Sequence, residues 1–119
     1  VKHEDALRAS LRASYGIDLR HVRDTMRATD LADLVVWLPA GTALWVSMGG
    51  PSAVPREVQR LQAVEYLLRA LVYQNSGSKG KKPEPPKPPE YAHEREARED
   101  AQDRKAAAYL RRQSRMAKD

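Results

Sequence analysis

The residue types able to do chemistry are few and scattered. His3, His21 and His93 lie far apart, and none has a His or acidic residue at a metal-ligand spacing that resembles a known site. His93-Glu94 opens like a zinc-protease helix, but position 97 is Ala where that motif needs its second histidine. Gly77-Ser78-Lys79-Gly80-Lys81-Lys82 imitates a phosphate loop. The full pattern would require Gly at 75 and Ser or Thr at 82, where the chain has Asn75 and Lys82. Prolines follow, so no helix N-terminus is offered to a phosphate. Serines 10, 14, 47, 52, 76, 78 and 114 lack a nucleophile-elbow context. Asp30 and Asp33 form a local carboxylate pair that helix capping and dipole complementarity explain. With no cysteine, disulfides, thiolate zinc sites and cysteine nucleophiles are excluded. The reading is a non-enzymatic chain that calls for no metal and no cofactor.

The elements that would carry an interaction surface are helical. Leu7, Leu11 and Tyr15 form a stripe over residues 3–15, closed by Gly16. Asp18 caps a short second helix carrying Leu19, Val22 and Met26, and Thr29 or Asp30 caps a third. In the third, Leu31, Leu34, Val35 and Leu38 recur at helical spacing before Pro39, although 34–38 alone could pass for a buried strand. Thr42 caps a fourth, ended by Gly49-Gly50-Pro51. From Pro55 the spacing of Val58, Leu61, Val64, Leu68, Leu71 and Val72 predicts a long helix. Tyr66, Leu67 and Tyr73 widen its apolar face, so it is expected to be covered on more than one side.

Five of the eight prolines fall within Ser78–Glu90, which must be extended. The expected organisation is a helical core domain over 3–76, a Pro/Lys-rich linker over 77–90 and a charged helical tail over 91–119: an all-α fold. As a semi-rigid spacer the linker would hold the tail some tens of ångströms from the core. The tail reads as helix from about Ala92 to Ala117, supported by Glu94–Arg98 and Asp100–Arg104 pairs. Only Tyr109, Leu110 and Met116 are sizeable apolar groups in it, so it does not fold by packing on itself.

The net charge of +5 is uneven: residues 1–76 carry nine basic and eight acidic side chains, whereas 104–119 carry six and one. No run approaches the roughly 18 apolar residues of a membrane span. The first residues show no signal-peptide pattern, because no apolar stretch follows them. A core of this size buries only about 60% of its unfolded surface and is marginal alone, so self-association or a partner is expected.

Candidate partner-binding residues are the aromatic and soft apolar groups Trp37, Trp45, Met48, Tyr66 and Tyr73. Aromatic anchors dominate interface energetics, and burial in the core is the competing reading. Lys81, Lys82, Arg111, Arg112 and Arg115 are candidate contacts of the linker and tail, with a solvated charged surface as the competing reading. Pro85-Pro86-Lys87-Pro88 has the Pro-x-x-Pro spacing of ligands for aromatic grooves, but a proline-rich spacer produces that spacing by chance.

The order of these features resembles a known family. An Arg-rich first helix leads to Tyr15-Gly16-Ile17-Asp18-Leu19. A Leu-rich helix ends in Leu38-Pro39, followed by an apolar turn and Gly49-Gly50, and a long Leu-rich helix leads into Gly80-Lys81-Lys82-Pro83. Over residues 4–89 this layout is similar to the tail assembly chaperones of long-tailed bacteriophages, particularly those of actinobacterial phages and prophages. The resemblance implies a helical protein of the host cytoplasm that binds the tape measure protein, recruits tail tube subunits and leaves before the tail is complete. It also implies short and frameshift-extended forms, and Val1 is compatible with a segment read downstream of a frameshift or with a trimmed chain. Two other readings compete: a small basic nucleic-acid-binding phage protein, and a head–tail connector or adaptor retained in the virion. Against the first, the 31–38 helix is too apolar for a major groove and the 1–76 region is only +1.

Overall fold

The structure, a computed structural model, describes residues 2–116, and among them there are helices and turns but no strand. The all-α class read from the sequence is the class observed. The chain divides into a first unit up to Pro89 and a second from Glu90 onward.

The first unit is built on helix α1 (Glu4–Tyr15) and helix α4 (Ala43–Met48), which run antiparallel. Leu11 of α1 is completely buried, and Val22, Leu38 and Leu44 complete a small core. Two side-chain bonds fix the pair. Ser10 Oγ accepts the Leu44 backbone N–H at 2.8 Å, and His3 Nδ1 lies 2.6 Å from Ser47 Oγ. Thr42, expected to cap α4, makes no side-chain cap bond; its hydroxyl is buried without a partner. The α4 N-terminus is instead capped across the core by Ser10. A short 3-10 turn at Leu19–His21 precedes helix α2 (Val22–Thr25). Asp18 caps that turn by accepting the Arg20 N–H at 3.0 Å, a bond that holds its carboxyl below the ordinary value of 3.8. The expected second helix is thus shorter and split, and Met26 is already extended.

Helix α3 (Ala28–Val36) begins ahead of both residues expected to cap it, with Arg27 at the cap position and no side-chain cap bond. The 34–38 stretch is helical up to Val36 and not a strand. Tyr15 Oη donates to the Leu34 carbonyl at 3.1 Å, tying α3 to the end of α1.

Helix α5 (Arg56–Asn75) departs most from expectation. None of its residues is buried, and no other helix of the described residues packs along it. Its N-terminus is anchored by Gln59, whose Nε2 donates to the Pro51 and Val54 carbonyls. Its C-terminus ends at Gly77, in the left-handed region (φ 72°) that favours glycine. Gly77 N–H bonds the Gln74 carbonyl and Ser78 N–H the Tyr73 carbonyl, a Schellman arrangement that turns the chain back.

The segment after that turn is extended, as its prolines require, but it is not a free spacer. It runs back along α5: Lys79–Glu84 lie beside Leu68–Ser76, then Glu84–Lys87 beside Gln62–Arg69. Pro86–Pro88 reach Pro51 and Val54, and the Pro89 carbonyl accepts the Gly50 N–H at 2.9 Å. The lengths match: twenty helical residues rise about 30 Å and eleven polyproline residues about 34 Å. Gly50 meets this strap at φ 81°, ψ −172°, a backbone region essentially reserved for glycine.

The second unit contains helix α6 (Ala92–Met116); the expected last helical residue, Ala117, lies outside the described residues. Glu94 reaches back to the Tyr91 N–H at 3.4 Å, as in a capping box. The two expected acid–base pairs are replaced. Arg98 pairs with Glu90 at 2.9 Å, and Arg104 Nε donates to the Asp100 carbonyl at 3.3 Å.

Candidate partner-binding site

A cleft of about 570 Å³ opens between the α3–α4 connection and the start of α5. Its first wall is apolar: Val36, Trp37, Pro39 and Trp45. Its second wall is polar, from Arg56, Glu57 and Gln59 on the first turn of α5. The sequence builds the first wall by stopping α3 at Val36. Trp37 then takes the cap position, Pro39 prevents further helix, and the next residues turn into α4.

The two tryptophans divide the work. Trp45 is half-buried and donates from Nε1 to the Leu38 carbonyl at 3.0 Å, which fixes it as wall. Trp37 is 80% exposed and stands at the rim. Beside it, Val36 is also exposed. An exposed indole backed by a fixed one, opposite an Arg/Glu pair, suits a helix or peptide with one apolar and one charged face. Among the described residues no cluster of His, Cys, Asp or Glu is arranged to hold a metal ion.

The remaining candidates lie elsewhere. Met48, at the end of α4, is partly exposed but does not line the cleft. Tyr66 and Tyr73 are half-buried on the α5 face that carries the strap: Tyr66 beside Pro86 and Lys87, Tyr73 beside Lys79–Glu84. Of the Pro-x-x-Pro segment, Pro86 and Lys87 lie beside Tyr66, and Pro86–Pro88 also lie against Pro51 and Val54. Lys81 and Lys82 sit on the strap, with Lys81 Nζ 3.9 Å from Glu84. Arg111, Arg112 and Arg115 are exposed on the last turns of α6.

Sequence reasoning missed Val36, Ser10 and Gln59. Ser10 had a signal, being a small polar residue next to Leu11 on the apolar stripe. Gln59 had none, since its role depends on where the Pro51 carbonyl lies.

Comparison with protein-family models gives no match, and neither do comparisons with curated proteins and with solved structures. No helix among the described residues is long and apolar enough to cross a membrane.

Proposed function

We propose that this chain is a non-enzymatic assembly chaperone of long-tailed phage tails. In this reading the first unit receives an apolar helical segment of the tape measure protein, and the charged second unit recruits tail tube subunits in the host cytoplasm. The observation that carries the first half is the Trp37 cleft: an exposed indole on a fixed apolar wall facing Arg56 and Glu57. The ordered sequence resemblance over residues 4–89 supplies the identity of the partners. A tape measure protein is long, helical and apolar, so it needs a cover that binds reversibly, and helix-in-groove recognition by a small domain provides one.

Co-expression of the full chain with a tape measure protein, followed by affinity capture, tests this reading. Trp37→Ala should lower capture by about tenfold or more, the cost of removing an aromatic hot spot. Trp37→Phe should retain most of it. Equal capture by wild type and Trp37→Ala would remove the cleft from the function. Mass spectrometry of finished virions separates a chaperone, which is absent, from a connector, which is present.

A further inference from the structure

Away from the strap α5 carries an exposed apolar stripe. Leu61, Val64, Leu67 and Leu71, with Leu68 and Val72 at the strap's edge, are each 52–68% exposed. Their uncovered surface comes to roughly 600 Å², at the top of the range for the largest apolar patch on a monomer.

We propose that this stripe is the interface with a second copy of the chain, the two α5 helices packing in parallel as a dimer. Leu61, Leu68 and Asn75 recur every seven residues, and Val64 and Leu71 fall between them, which gives the a and d positions of a two-heptad seam. In that register Arg60 and Leu67 occupy g positions, and Glu65 and Val72 the e positions five residues on. In a parallel pair each g side chain faces the e side chain of the next heptad on the partner. Arg60 then meets Glu65 of the second copy, a carboxylate that also pairs with Arg69 of its own helix, and Leu67 meets Val72, twice each by symmetry. Asn75 at an a position pairs with its own copy and specifies two strands in parallel register. Two such faces bury about 1,200 Å², the lower edge of what a specific interface needs. The strap lies over Gln62, Tyr66 and Tyr73 and borders the seam at Glu65, Leu68 and Val72, of which Leu68 and Val72 stay 58% and 68% exposed. The Trp37 cleft is lined by different residues, so client binding and dimerisation are separable.

Sedimentation equilibrium of the full chain across a concentration series tests the proposal. The expected mass is twice the 13.4 kDa of the chain, with dissociation in the micromolar range. Leu68→Lys should give a monomer with unchanged far-UV helicity, since the side chain is already more than half exposed. Arg60→Glu alone and Glu65→Arg alone each place like charges across the seam and should weaken association about tenfold. Mixing those two variants should restore it, because every cross-seam pair is then complementary. A monomeric wild type at 100 times the expected dissociation constant, a Leu68→Lys dimer, or a mixture no tighter than its components would each overturn the parallel α5 dimer.

Discussion

Ser10 is a small polar side chain in the middle of an otherwise apolar packing surface, and its hydroxyl, in place of the Thr42 side chain, caps the start of α4. Removing it orphans a buried backbone N–H while leaving the helix propensity of α1 intact or improved. Ser10→Ala should therefore cost about 1–3 kcal/mol in denaturant unfolding, the penalty of an unsatisfied buried donor. A loss below about 0.5 kcal/mol, within the range of neutral surface changes, would mean that the N–H finds another partner. Asp18 makes the same kind of contact in solvent. Its carboxylate accepts the Arg20 N–H, and the nearby His21, Arg20 and Arg12 charges add smaller attraction, so its folded pKa lies below 3.8. A depressed carboxyl contributes stability that is present above 3.8 and is lost as pH falls through the folded value. The carboxyl carbon of Asp18, followed by NMR, should titrate below 3.8, with the Arg20 amide proton moving upfield in step. A midpoint at or above 3.8 would show that the turn is not capped in solution.

At the scale of elements, α5 and its strap form the pairing that the sequence concealed. The helix itself was legible: Pro55 before it, apolar residues at helical spacing and Asn75-Ser76-Gly77 after it mark both ends to within a residue. What covers it was not, because a helical period says which face is apolar and not whether another element reaches it. Tyr66 and Tyr73 lie seven residues apart on one face, which the spacing showed. That their partner is the chain's own proline segment follows only from the Gly77 turn and the match between helix and strap lengths. For the same reason Trp37 was legible as a candidate and its exposure was not, since exposure depends on α3 ending at Val36, two residues short of Leu38. The strap can be tested at its far end. The Gly50 amide is held by the Pro89 carbonyl, and the strap reaches that point along the tyrosine face. Tyr66→Ala with Tyr73→Ala should raise hydrogen exchange at Gly50 by about tenfold, while amides of α1 stay protected. Unchanged exchange at Gly50 would mean that Pro89 is held without the tyrosines.

At the scale of the molecule, the strap moves charge as well as chain. Residues 1–76 are nearly neutral, but adding 77–89 brings thirteen basic against nine acidic side chains to the first unit, a net +4. The second unit has eight against seven, a net +1, with its basic residues gathered at Arg111, Arg112 and Arg115. A cut placed where the core ends in sequence, after Ser76, would take the strap away. It would strip Tyr66 and Tyr73 of their cover and remove the partner of the Gly50 N–H. A cut after Glu90 leaves all of these in place. The two truncations should therefore differ in urea midpoint, the shorter chain unfolding at lower denaturant, although it has lost only fourteen residues and no helix. They should also divide the proposed function. The chain ending at Glu90 keeps the Trp37 cleft and should capture the tape measure protein as well as the full chain does, while failing to bring down tube subunits. Replacing Arg111, Arg112 and Arg115 together by Gln in the full chain should reproduce that failure, and the wild-type recruitment should weaken as salt rises through the range in which exposed charges are screened. If the chain ending at Glu90 recruits tube subunits undiminished, recruitment belongs to the first unit, and its basic strap, with four lysines against one glutamate, becomes the place to look.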